Sequence, residues 1–184
     1  MEDIEKFFDY VRKLKRTPRQ GWLDLGVENS ESVADHSFGT AIASMIYSDL
    51  KNLDTGKALR MALLHDMGES IIGDIPHPEK ERIGMEKVRK TEDLAVKKIL
   101  SFLPDELEAK YSDVWQDFMN NLSPESKLVN QVDKLEISIQ ILDYMKKVGM
   151  GNKEKMGEMW NFVKSRLIDS DLIELFNSLR EKYR

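Results

Sequence analysis

Apolar residues recur at intervals of three and four along nearly the whole chain. Ile4, Phe7, Phe8, Val11 and Leu14 make one stripe, and Val129, Val132, Leu135, Ile139 and Leu142 make another. That repeat belongs to a helix with one buried face. No segment sustains the two-residue alternation of a half-buried strand. The pattern predicts helices over 2–16, 33–50, 55–72, 78–102, 104–121, 124–149, 152–167 and 170–182, an all-α fold. Punctuation supports the breaks: "NSES" and "LDTG" supply capping side chains, Pro104 and Pro124 suit first turns, and "GDIPHP" cannot continue a helix. No repeat or low-complexity linker offers a boundary, so a single domain over 1–184 is expected. The apolar Trp160, Phe162, Leu172, Ile173 and Phe176 of the last two helices suit either a domain core or a dimer surface.

The chain has 184 residues, of which 33 are acidic and 28 basic, giving a net charge of −5. A protein that coats a nucleic-acid polymer usually presents a basic surface, so no such partner is expected. There is no cysteine, which removes disulfides and thiolate metal sites together and leaves nitrogen and oxygen as the available ligands. The acidic start "MEDIEKFFDYVRKLKR" is unlike a signal peptide, and no apolar run approaches the ~18 residues of a membrane span. A soluble cytoplasmic protein is expected, with no membrane partner.

The segment "TPRQGWLDLGVENSES", residues 17–32, is a long polar connection carrying Arg19 and Trp22. Loops of this length inside a compact domain are often functional, although a surface loop pinned by a half-buried Trp is the plainer reading. On a helix through 59–72, Ala62, His65, Asp66 and Glu69 share one face, while Leu59, Leu63, Met67 and Ile71 lie towards the other side. His36 falls in the first turn of the helix over 33–50, and Asp133 lies inside a strongly apolar one. Each residue alone has a bland explanation as a satisfied core histidine or a solvated carboxylate. Together, two His and two Asp on three apolar helices would supply ligands to one divalent ion, a mix compatible with Mn, Fe, Co, Ni or Zn, with Mg also open. A charge run, "PEKERIGMEKVRKTED", reads as a solvated helix face. Gly-rich phosphate loops, H-E-x-x-H and a Ser nucleophile elbow are all missing from the sequence.

The order His36, His65-Asp66, Asp133 resembles the H…HD…D signature of the HD-domain metal-dependent phosphohydrolases. The blocks "LKRTPRQGW", "ESVADHS", "LLHDMGESIIGDIP" and "QVDKLE" are similar to the 5'-deoxynucleotidase branch of that family. The resemblance implies an HD-domain helical bundle, commonly a homodimer, with His36, His65, Asp66 and Asp133 holding one metal. It also implies a small deoxynucleotide substrate. Glu69, one turn beyond His65, would position water or act as general base. Arg19 would clamp the phosphate with its planar, permanently charged fork. Trp22 would wall off the sugar and favour deoxyribose, and Asp74 would accept the 3'-hydroxyl. Ile75, Pro76 and His77 would line the same pocket, with His77 outside the metal set. Glu136, one turn after Asp133, is read either as a partner behind a ligand or as a solvated or salt-bridged carboxylate. Arg19 and Trp22 are separated by Gln20 and Gly21, as in the archaeal and eukaryotic type rather than the bacterial one. Hydrolases of triphosphates, cyclic nucleotides or guanosine polyphosphates, and a non-catalytic nucleotide-sensing scaffold, are the alternatives.

Overall fold

The computed structural model describes residues 2–148 and 153–182. Among these residues the chain forms eleven helices: α1 (Glu2–Leu14), α2 (Gln20–Asp24), α3 (Val33–Leu50), α4 (Thr55–Leu64), α5 (Glu69–Ile72), α6 (His77–Ile83), α7 (Met85–Leu100), α8 (Asp105–Asn120), α9 (Pro124–Val148), α10 (Lys153–Arg166) and α11 (Ser170–Glu181). The all-α expectation holds, and the one extended pairing among them is an isolated bridge between Pro18 and Ser32. The expected helix ends at 149 and 152 lie outside the described residues. No helix among them is long and apolar enough to cross a membrane.

Side-chain caps explain several helix starts. Ser32 and Asp35 form a reciprocal capping box on α3, and the Asp54 carboxylate accepts the Lys57 N–H at the start of α4. Two expected helices are each divided. The helix expected over 55–72 gives up its regular path after Leu64 and resumes as the single turn of α5. The one expected over 78–102 breaks at Gly84, whose φ of +101° no right-handed helix accommodates. The connection over 17–32 is not wholly irregular, since α2 winds through it and Trp22 is buried rather than half-buried.

Two apolar cores share α9. Leu14, Val33, Met61, Ile99, Trp115 and Val129 belong to one, built from α1, α3, α4, α7, α8 and α9. Val132, Leu135, Trp160, Val163, Leu172 and Phe176 belong to the other, which joins α9 to α10 and α11 and takes in Trp22 from α2. Of the five apolar residues that fitted either a core or a dimer surface, Trp160, Leu172 and Phe176 are fully inside, and Phe162 and Ile173 pack against them. Exposed apolar side chains include Phe38, Ile42, Ile46 and Leu50 along α3, Ile4 and Phe8 from the expected α1 stripe, and Ile139 on α9. Ile139 is thus an exception to the expected α9 stripe.

Candidate metal centre

His36 reaches the interior from the first turns of α3 and is fully buried. Its Nδ1 sits 2.6 Å from Glu136 Oε2, so that nitrogen donates to a carboxylate and its Nε2 faces the other way. Nε2 lies 3.1 Å from Asp133 Oδ1 and 3.8 Å from Asp66 Oδ2. His65 mirrors this arrangement. Its Nδ1 is 2.8 Å from the Ala62 carbonyl, which can only accept, so the proton is on Nδ1. Its Nε2 lies 3.1 Å from Asp66 Oδ2 and 3.8 Å from Asp133 Oδ1. Both Nε2 atoms therefore confront the same two carboxylates.

The break after α4 shapes this cluster. Here the backbone N–H groups of four residues bond three residues back, Met67 to Leu64 at 3.0 Å, Glu69 to Asp66 at 3.0 Å, Ser70 to Met67 at 3.2 Å and Ile71 to Gly68 at 2.9 Å. A three-residue turn eclipses positions i and i+3, which aligns Asp66 with Glu69. Gly68 lets this turn press against α7, where an added Cβ would stand 3.3 Å from the Glu92 carbonyl oxygen. The expected division of faces holds for His65 and Glu69 against Leu63 and Ile71, and this packing moves Met67 across it. His65, Glu69 and Met67 point inwards, whereas Leu63 is 54% and Ile71 40% exposed.

A divalent ion fits this donor set. The buried His65 Nε2 has no hydrogen-bond partner, and separations of 3.1 to 3.8 Å suit donors that share one ion at about 2.1 Å. His36, His65 and Asp66 form a group that could hold a metal, and Asp133 faces both imidazoles. A second group, Glu31, His36 and Glu136, also has suitable spacing. Its His36 nitrogen is the one already engaged with Glu136, so we read it as support behind the first. Glu136 is buried and bonded to His36, which settles its two readings against the solvated one.

A cavity of about 930 Å³ opens beside the cluster. Arg19, Trp22, Asp66, Glu69, Asp74, Ile75, Pro76, His77 and Asp133 all line it, so every expected pocket residue is brought there. Arg19 and Trp22 are three residues apart on one turn, with the Trp22 N–H bonded to the Arg19 carbonyl at 3.1 Å, and the two intervening residues cost them no proximity. The guanidinium Nη1 of Arg19 lies 3.1 Å from Asp74 Oδ1 and 3.3 Å from Asp66 Oδ2. Asp74 also accepts the backbone N–H of Gln20, tying α2 to the turn after α5. His77 opens α6 rather than sitting in a loop. Its ring packs on Phe162 at 4.7 Å and its Nε2 lies 3.1 Å from Arg166, away from the metal cluster as expected.

Charge is unevenly distributed in this wall. Burial, together with the Asp66 and Asp74 carboxylates, pushes Glu69 well above the usual carboxylate range, and its Oε2 has no partner. Against burial and the Arg19 charge, Asp133 and Glu136 raise His36 to about 9. Burial and Glu136 raise Glu31 to about 7.

Several lining residues carried no usable sequence signal. Lys80 and Glu92, both inside the charge run read as solvated, form a part-buried ion pair at 2.8 Å, and Lys80 reaches the cavity. Lys134 Nζ is 2.6 Å from Asp133 Oδ2. Met159 and Phe162 of α10 close the far side.

The sequence profile of the HD domain matches residues 11–170. The chain belongs to the HD-domain family. Among relatives of this HD domain, a Xenopus laevis protein named 5'-deoxynucleotidase HDDC2 is 31% identical over 98% of this chain and 88% of its own length. Its Homo sapiens counterpart of the same name is 35% identical over 76% of this chain and 67% of its own. The crystal structure of a Pyrococcus horikoshii protein superposes with a TM-score of 0.76 at 33% identity, covering 95% of this chain and 96% of that one.

Proposed function

We propose that this chain is a metal-dependent 5'-deoxynucleotidase, converting a deoxyribonucleoside 5'-monophosphate and water to the deoxynucleoside and phosphate. The observation that carries the reading is the convergence of His36, His65, Asp66 and Asp133 at a cavity that also presents Arg19 and Glu69. Curated relatives of the chain bear that activity in their names.

When bound by those four residues, a divalent ion supplies Lewis-acid charge beside the phosphoryl group and acidifies water. The chain's own groups do the rest. Arg19, held by two carboxylates and permanently protonated, offers free N–H donors to the phosphoryl oxygens. Glu69 takes the proton of the water that attacks phosphorus as the bond to O5' breaks, and the departing O5' takes a proton from solvent. Its buried Oε2 has no hydrogen-bond partner and is free to accept that proton. Trp22 turns its indole N–H to Glu31 at 2.8 Å, so what it offers the cavity is apolar ring. A ribose 2'-hydroxyl placed there would be desolvated without a partner, which costs roughly 1–3 kcal/mol. Asp74 retains spare acceptor capacity for a sugar 3'-hydroxyl. Ile75, Pro76 and His77 complete the wall around the sugar.

Two further parts of the proposal concern setting. The exposed row Phe38, Ile42, Ile46 and Leu50, at four-residue spacing along α3, supports a homodimer. Light scattering of the pure protein tests it, and a monomeric mass at micromolar concentration rejects it. A cytoplasmic location fits a chain without cysteine.

The function is tested by supplying dAMP, dTMP, AMP, a deoxynucleoside 3'-monophosphate and a deoxynucleoside triphosphate to metal-loaded enzyme, with a chelated control. Release of phosphate chiefly from dAMP and dTMP is expected. Equal turnover of AMP rejects the sugar preference, and sequential phosphate release from the triphosphate rejects the monophosphate assignment.

A further inference from the structure

Glu31 stands directly before the α3 capping residue and is bonded in several directions at once. Its carbonyl accepts the Arg19 N–H at 3.0 Å, its own N–H donates to the Tyr144 hydroxyl, and its carboxylate accepts the Trp22 indole N–H at 2.8 Å. Tyr144 in turn meets the Trp22 ring edge-on, with centroids 5.0 Å apart. On its other side the Glu31 carboxylate lies within 4.8 Å of the His36 and Glu136 ligand atoms. One residue thus stands beside the support of the metal cluster and bonds to both Arg19, at the start of α2, and Trp22 within it.

We propose that Glu31 is a positioning residue for sugar selection: by accepting the indole N–H it fixes which edge of Trp22 faces the cavity. The inference rests on the reading of Trp22 as the sugar wall. The reasoning is one of hydrogen-bond accounting. Trp22 is almost wholly buried, and its single polar group must find an acceptor. Glu31 supplies one on the side away from the cavity. Without that acceptor, the nearest remaining partners for the N–H are water or a sugar hydroxyl in the cavity, reached by rotation of the ring. An indole turned that way would serve the ribose 2'-hydroxyl that the native orientation leaves unpartnered. Arg19 keeps its bond to the Glu31 carbonyl when only the side chain changes, so phosphate binding is maintained while sugar choice is lost.

The test compares wild type, Glu31→Leu, Glu31→Gln, Trp22→Phe and the Glu31→Leu/Trp22→Phe double variant, each assayed for kcat and KM on dAMP and AMP. Glu31→Leu is expected to lower the dAMP to AMP ratio of kcat/KM by about tenfold, the scale of one hydrogen bond. The change should lie mainly in KM. Glu31→Gln keeps an acceptor oxygen and should restore the ratio. The double variant should match Trp22→Phe alone, since Phe has no N–H to misdirect. A readout independent of turnover comes from the apoprotein: the Trp22 indole N–H proton resonance, assigned by its loss in Trp22→Phe, should move upfield and exchange faster in Glu31→Leu and not in Glu31→Gln. A wild-type ratio in Glu31→Leu with an unmoved indole resonance overturns the proposal, as does an equal loss on both nucleotides that Gln does not rescue. A wild-type enzyme without any dAMP preference instead overturns the sugar-wall reading itself, and this proposal with it.

Discussion

Gly39 offers a direct test of how the cluster is supported. It lies within α3, one turn after His36, where Gly normally costs a helix about 1 kcal/mol relative to Ala. Propensity alone therefore favours Gly39→Ala. The structure argues otherwise, because a Cβ at this position would stand 2.6 Å from Glu136 Oε1 and 3.1 Å from its Cδ and Cγ. Glu136 is buried and cannot swing into solvent. A displacement of about 0.8 Å, needed to restore an ordinary contact, would stretch its 2.6 Å bond with His36 Nδ1 beyond the useful range. Loss of a hydrogen bond to a charged group costs about 1.5–3 kcal/mol. Offset by the helix gain, the apoprotein should lose about 0.5–2 kcal/mol, read from thermal or urea unfolding. His36 would lose the partner that orients it, and metal affinity should fall by about 10–100-fold, read by competition with a chromogenic chelator. In a Glu136→Ala background the added methyl has nothing to displace, so only the helix gain should remain. A Gly39→Ala protein that is more stable than wild type and binds metal equally well would refute the reasoning.

Glu69→Gln should lower kcat by about 10²–10⁴-fold, the usual worth of a general base, while metal content by elemental analysis stays at the wild-type level; near-normal turnover would remove Glu69 from the chemistry. Arg19→Lys keeps the charge but not the planar fork, so kcat/KM for dAMP should drop by about tenfold or more; unchanged steady-state kinetics would refute the clamp. The pH dependence of metal binding has a definite sign. The folded apoprotein raises His36 to about 9, so the protonated form stabilises it fully below the ordinary value of 6.5, and this contribution is lost as pH rises through 9. A metal takes the deprotonated Nε2, so its apparent affinity should rise by up to about tenfold per pH unit between pH 7 and 9 and flatten above; titration calorimetry showing constant affinity over that range would contradict it.

What could be read from the sequence and what could not divide along physical lines. Helix starts depend on residues three apart, so the caps at Ser32 and Asp54 were legible. The four ligand candidates were legible as polar groups at positions whose neighbours are apolar, and the structure brings all four together. The tightened turn over residues 65–69 was not, because a 3.6-residue period and a three-residue turn diverge too little over four residues to register as pattern. This is why Met67, expected on the side away from His65 and Glu69, is buried with them. Gly84 breaks a helix through a positive φ that its neighbours do not announce. Lys80 and Glu92 looked solvated because the turn that lets them pair across part-buried space is tertiary in origin. Glu31 is engaged by Trp22 and Tyr144 and Gly39 faces Glu136, contacts that reach beyond any helical repeat and leave no mark on the local pattern.

The two cores that meet at α9 assign different properties to different stretches of polypeptide. Ligand geometry is carried by α3, α4 and α9, whereas the far wall of the cavity, Met159 and Phe162, rides on α10 and is anchored there by Trp160 and Val163. The room on that side of the cavity can therefore be retuned by side-chain exchange on one face of a single helix, without touching the residues that converge on the metal cluster. A library randomised at those two positions would show how far that wall alone governs substrate choice.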